Sequence, residues 1–308
     1  MKYRLSLTEA EPEILKEIPL PSIHGYDYWY NPLYMQYLGE LHEIKPLLLR
    51  VYKGEELIAL LPLFERKKLG MKALVCPVGG YYQGIHLFMD PNTSAPRVLL
   101  DNLAISERIA QFLNKEYSRI NFKLLPDNTD VRGFTWNKYS ARPMYTFRHD
   151  LSQNLHILQD EKKSLRKAAA AGLSLVEHFD PDPYFKMQAE LDKRKNHSFG
   201  VSFESLARYF EKLHAADLLK QYNVMQGDKI LSSNIIYSDA GKAVYTVFMA
   251  SEPEGLKLGA ATFHSIELLS QLPPSCRIFD YCGANVQDVA RFKAALGLQL
   301  QVFFNLST

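Results

Sequence analysis

The sequence predicts an α/β protein made of two tandem copies of one module, each a mixed sheet flanked by helices. Three observations carry this. Short apolar runs alternate with longer stretches of 3.6-residue periodicity, the pattern of strands joined by helices. A hairpin signal occurs twice, turning at Gly54 and at Gly227, 173 residues apart. After each hairpin the same order follows: a strand, a glycine-containing loop, a helix and a short strand. At 308 residues the chain has the length of two domains.

In the first copy, residues 22–37 hold six aromatics, and a helix begins near Asn31-Pro32, with Asn as cap and Pro in its first turn. Residues 45–52 (KPLLLRVY) and 56–64 (ELIALLPLF) read as strands around the turn Lys53-Gly54-Glu55. A basic segment, ERKKLGMK at 65–72, precedes a strand over 73–78. A loop over 79–84 follows, then a helix over 95–117, with apolar residues at helical spacing, and a short strand over 119–125. Three helices lie between the copies, over 155–172, 184–195 and 203–214, the last capped by Ser202 with Ser205. The second copy reads as strands over 219–225, 229–237 and 243–250, a loop over 255–259, a helix over 260–271 and a strand over 277–281. Ile120 and Ile278 begin equivalent short strands, 158 residues apart. The expected domains are 1–145 and 146–308, with a last strand over 299–304 that pairs in the second domain or returns to the first.

Composition bounds the function. Apolar residues make up 47% and charged residues 23%, ordinary values for a globular chain. With 36 Lys plus Arg against 34 Asp plus Glu, the net charge of +2 argues against a dedicated electrostatic nucleic-acid binder. No stretch approaches the ~20 apolar residues that span a bilayer. The first twenty residues hold no apolar signal segment. Cys76, Cys276 and Cys282 therefore read as reduced thiols, and the expected location is cytoplasmic. Neither they nor His197, His214 and His264 have metal-ligand spacing, so no metal site is expected.

The repeated order of elements resembles the central part of the acyltransferase fold called GNAT, which makes the expected architecture two tandem GNAT-like domains. In that fold two neighbouring strands part, and the next loop and helix N-terminus hold a phosphate-bearing cofactor. Here that loop contains Gly255, Lys257 and Gly259, which are the candidate cofactor contacts. It lacks the Arg or Gln of simple GNAT enzymes, expected four positions before Gly259.

Residues 280–297, DYCGANVQDVARFKAALG, resemble the C-terminal signature of the Fem-type peptidyl transferases at Asp280, Gly283, Phe292, Lys293, Leu296 and Gly297. Residues 145–175 resemble that family's T-x-x-x-D-L strand and basic helix, and residues 192–213 its Arg-containing helix. The first half resembles it by order of elements only. Leu296 stands where the family has Phe, an apolar exchange that packing tolerates, and the long coiled-coil arm of some members is absent. The resemblance implies an N-acyl or aminoacyl transferase of bacterial type. It implies acyl-CoA or aminoacyl-tRNA as co-substrate rather than a tightly bound cofactor. Its acceptor is a small-molecule amine or a peptidoglycan precursor, and tRNA is a candidate partner.

Acyl transfer to an amine needs alignment, proton removal and stabilisation of an oxyanion. Lys293, read as lying at a helix start, is the first candidate to donate to a carbonyl or phosphate oxygen, and the resemblance places it near the acyl-transfer site. Asp280, at a strand end, is the candidate to orient the amine or act as base. Tyr245 and Tyr281 are candidates to wall the cleft or protonate the leaving group. Arg194 offers a bidentate fork for phosphate or carboxylate. Tyr81 and Tyr82 are candidates for a groove between the domains. The alternative is a non-catalytic ligand-binding protein on the same duplicated fold, suggested by the degenerate cofactor loop.

Overall fold

The computed structural model describes residues 3–11, 26–88, 90, 92–195, 198, 200–239 and 242–308. The start of the aromatic stretch at 22–25, the positions Asn196 and His197, and the turn at 240–241 lie outside them. The chain divides into two units between Met144 and Tyr145. Residues 26–28 group with the second unit and Val302–Thr308 with the first. No helix of the described residues is long and apolar enough to cross a membrane.

The first unit contains β1 (Arg4–Glu9), α1 (Pro32–His42), β2 (Lys45–Lys53), β3 (Glu56–Lys68), β4 (Met71–Leu74), β5 (His86–Leu87), α2 (Ala95–Glu116), β6 (Asn121–Lys123) and α3 (Arg132–Thr135). Its antiparallel sheet runs β1-β2-β3-β4, with β5 also on β3. Asn31 caps α1, its side chain accepting from the amides of Leu33 and Tyr34 at 3.0 and 3.2 Å. Ile105, Ile109 and Leu113 of α2 pack on Leu49, Leu61 and Leu63 of the sheet, so one face of each element is removed from water. The basic segment differs from expectation. Rather than linking two strands, it extends β3 to Lys68 and starts β4 at Met71, in a register running from Glu65↔Leu74 to Lys68↔Met71. β4 then stops at Leu74, short of Pro77, which has no amide to give a ladder.

The second unit begins within β7 (Ser140–Asp150) and continues through α4 (Gln159–Ala170), β8 (Ser174–Glu177), α5 (Pro181–Lys195), α6 (Phe203–Ala215), β9 (Leu219–Gln226), β10 (Lys229–Asp239), β11 (Ala243–Ser251), α7 (Pro253–Lys257), α8 (Ala260–Gln271), β12 (Ile278–Tyr281) and α9 (Gln287–Ala295). The final strand, β13 (Gln299–Ser307), pairs with β6 from Asn305 onward. The strand order in the second unit is β7-β12-β11-β10-β9-β8, in which only β11 and β12 are parallel. Gly54 and Gly227 take φ of 63° and 57°, and each opens a two-residue hairpin turn that a side chain would strain.

The two faces of this sheet differ. On one, Ile236, Val244, Phe279 and Tyr281 pack with Leu268 of α8. On the other, Tyr28 stacks on Tyr237 at 4.9 Å, and Phe248 meets Phe210 of α6 at 5.1 Å. Two expectations change. The helix expected from 155 starts at Gln159, with Asp160 and Glu161 in its first turn, where the dipole favours acids. The helical turn α7 takes up the first part of the loop expected at 255–259.

Candidate functional site

β11 and β12 pair at Ala243↔Ile278, Val244↔Phe279 and Tyr245↔Asp280, and the ladder ends there. β11 runs on to Ser251, whereas β12 stops at Tyr281. Where the pairing stops, a cavity of about 300 Å³ opens. Leu191, Met249, Leu256, Val289 and Phe292 give it apolar walls. Arg194, Thr246, Ser251, Tyr281, Cys282 and Lys293 supply its polar groups. Apolar walls with a few convergent polar groups are the usual composition of a small-molecule site.

Lys293 is 4% exposed and lies in the last turn of α9, not at the start of a helix. Helical side chains tilt toward the helix N-terminus, and here that brings the ammonium back to the end of β12. Its Nζ donates to the Tyr281 carbonyl at 2.8 Å, to the Cys282 carbonyl at 2.7 Å and to the Gly283 carbonyl. It also sits 4.2 Å from the centre of the Tyr281 ring. Carbonyls past the end of a ladder need donors, and one ammonium supplies three. Burial pulls the Lys293 pKa down to about 8, against the opposing pull of Cys282 and Asp280.

The neighbours are held neutral. Burial first, then Asp280, holds the Cys282 thiol well above its ordinary range, so it is no thiolate nucleophile near neutral pH. Burial pushes Tyr281 up to about 12, and its hydroxyl pairs with Ser265 Oγ at 3.0 Å and donates to Met249 Sδ at 3.0 Å. Thr246 Oγ1 is buried and has no hydrogen-bond partner among the described residues. A buried hydroxyl left unpaired is costly, which makes Thr246 a candidate ligand contact.

Of the residues singled out in the sequence, Lys293, Tyr281 and Arg194 come together at this cavity. Arg194 is in the last turn of α5, its Nε donating to the Glu190 carbonyl at 3.4 Å. Asp280 does not line the cavity. It is 0% exposed and accepts from Thr146 Oγ1 at 2.6 Å, opposite Arg148 in register. Tyr281 and Asp280 are successive residues of β12, and of the two only Tyr281 lines the cavity. Tyr245, beside Asp280 in register, is likewise buried, with its ring 5.9 Å from that of Tyr28.

The glycine loop also departs from expectation. A Cβ on Gly255 would sit 2.6 Å from the Leu231 carbonyl oxygen, and one on Gly259 would sit 2.5 Å from that of Ser164. Both glycines therefore allow backbone to approach backbone. Lys257 is exposed and outside the cavity. In the first turn of α8, Thr262 Oγ1 donates to the Glu161 carboxylate, so an acidic side chain already stands at the anion-attracting end of that helix. Tyr81 and Tyr82 belong to the first unit, where they pack edge-to-face at 4.7 Å, and Tyr82 meets Trp29 at 5.3 Å. Thr246 and Cys282 were not anticipated. Thr246 matters only because the ladder stops beside it, which no local pattern announces.

No family model and no curated protein matches the sequence. Solved structures do match the fold. FemX aligns with a TM-score of 0.63 at 12% identity, over 98% of this chain and 96% of that one. A tandem GNAT protein from the clavulanic acid biosynthesis pathway gives 0.56 at 13%, over 99% and 98%. L-PGS from Bacillus licheniformis gives 0.55 at 12%, over 97% and 92%. The fold is the Fem-like tandem GNAT fold, two such domains in one chain.

Proposed function

We propose that the second unit transfers an acyl or aminoacyl group from an activated ester to an amine. The observation that supports this is the Lys293 ammonium, fixed at the wall of a cavity that opens where β11 and β12 cease to pair. The amine attacks the acyl carbon and a C–N bond forms. The carbonyl becomes an oxyanion, then collapses and expels the donor oxygen or sulfur with its electron pair. The amine's proton passes to the leaving group or to solvent. A preorganised positive charge favours that oxyanion. Gly283 is the partly exposed one of the three carbonyl partners, and it is the one an oxyanion displaces. Arg194 anchors a phosphate or carboxylate of the substrate, and Thr246 bonds a polar group of the acyl portion.

Between the two donor classes, Glu161 beside the first turn of α8 favours an aminoacyl ester carried on tRNA over acyl-CoA, whose pyrophosphate it would repel. The resemblance of residues 280–297 supports a peptidoglycan-precursor amine as acceptor. Incubation with charged tRNA or with acetyl-CoA, each with and without amine acceptor, tests the reading by mass spectrometry. Acceptor-dependent loss of the aminoacyl ester is the expected result; no turnover with either donor overturns it.

One observation favours a second reading, a binding protein that does no chemistry. None of the described residues lining the cavity is a carboxylate or a histidine, the commonest side-chain bases. Tight ligand binding without turnover is its signature.

A further inference from the structure

The β3–β4 hairpin of the first unit ends in a two-residue turn, Leu69-Gly70, with φ of 50° and 78°. Both values are left-handed, as such turns require, and Asn or Gly is the ordinary occupant of the first position. Leu there is strained and exposed at once: Leu69 is 89% exposed and Met71 is 62% exposed. Every residue from Arg66 to Lys72 is exposed. Within that run stand four cations, Arg66, Lys67, Lys68 and Lys72, in a chain whose net charge is only +2. Among the described residues, Lys72 alone of the four has an ion pair, with Glu65 at 3.9 Å.

We infer that this hairpin tip is a membrane-surface anchor. Leu69 and Met71 enter the headgroup layer, while Arg66, Lys67, Lys68 and Lys72 meet the phosphates of anionic lipids. An aliphatic tip ringed by cations matches a surface that is negative outside and apolar just beneath. Other occupants fit less well. A nucleic acid offers phosphates but nothing for Leu and Met to enter, and residues 65–72 hold no aromatic side chain for base stacking. A second copy of the same tip would set four cations against four. The inference is independent of the reaction proposed for the second unit.

Co-sedimentation of the full chain with phosphatidylcholine vesicles, with and without phosphatidylglycerol, tests it. The wild type is expected to bind the anionic vesicles roughly tenfold or more better, an advantage that falls with salt. Leu69→Asn with Met71→Gln keeps every charge, relieves the turn, and is expected to lose most of the binding with no loss of melting temperature. Lys67→Gln with Lys68→Gln and Lys72→Gln is expected to lose the preference for phosphatidylglycerol. A Leu69→Trp probe is expected to shift its emission to the blue on anionic vesicles. No binding by the wild type, or full binding by the Leu69→Asn, Met71→Gln variant, overturns the inference. So does tight binding of tRNA that the charge variant alone abolishes, without vesicle binding.

Discussion

Lys293 Nζ lies 2.8 Å from the Tyr281 carbonyl, so a single ammonium closes the open end of β12 and charges the cavity wall. Lys293→Met leaves three carbonyls without that donor. The expected cost is about 2 kcal/mol of stability, several degrees in melting temperature. Transfer is expected to fall by roughly a hundredfold or more. Lys293→Arg, with a planar head too wide for three converging carbonyls, is expected not to restore transfer. Calorimetry and the tRNA assay measure both.

The same lysine sets an alkaline signature. Its folded pKa, about 8, lies below the ordinary 10.5, so the unfolded chain holds the proton more tightly. Below pH 8 both states are charged and the cost of burying the charge is fully present. As pH rises toward 10.5 the folded state loses its proton first and that cost lifts. Relative to Lys293→Met, the wild type is expected to gain up to ~3 kcal/mol across this window in urea unfolding. A flat difference contradicts it.

His264 sets an acid signature. It lies on the buried face of α8, fully removed from solvent, with Nδ1 3.2 Å from Ser232 Oγ, and burial lowers its pKa to about 3. The unfolded chain takes up a proton near pH 6.5 while the folded chain does not, so stability falls as pH drops below 6.5. About 2 kcal/mol is expected to be lost by roughly pH 5. His264→Gln is expected to flatten this slope, and urea midpoints at the two pH values decide it.

Arg194 and Thr246 separate binding from folding. Arg194 is exposed, so Arg194→Ala is expected to leave the melting temperature within about a degree and to raise the donor KM by roughly tenfold. Thr246→Val removes a buried unpaired hydroxyl. It is expected to hold or raise stability while weakening donor binding, the opposite of an ordinary packing variant.

Gly259→Ala tests whether the loop serves packing. With φ of 82° and the Ser164 oxygen in the way, it is expected to cost ~2 kcal/mol or more. Lys257→Ala, outside the cavity, is expected to change neither stability nor KM. A large loss of donor affinity in Lys257→Ala would point instead to a phosphate contact there.

Much of this was legible in the sequence, for identifiable reasons. Gly54 and Gly227 mark their turns because only glycine takes that backbone without strain, and Asn31-Pro32 announces α1 through its capping chemistry. Lys293 stood out by motif, but its place in the last turn of α9 depends on where the helix begins, at Gln287, which periodicity left open. Asp280 and Tyr281 are neighbours in sequence and opposites in space, and only the sheet decides which one meets the cavity. The β3–β4 hairpin was hidden because charged residues are poor strand formers and Leu-Gly is a poor turn signal. The helical turn α7 forms against Leu231, a tertiary contact with no local cue.

The meeting of Gly259 with Ser164, together with the bond from Thr262 to Glu161, rivets α8 to α4. Neither helix can swing aside alone. Trimming Leu191 or Leu256, which line the cavity from other elements, is therefore expected to admit a bulkier ligand without parting these two helices.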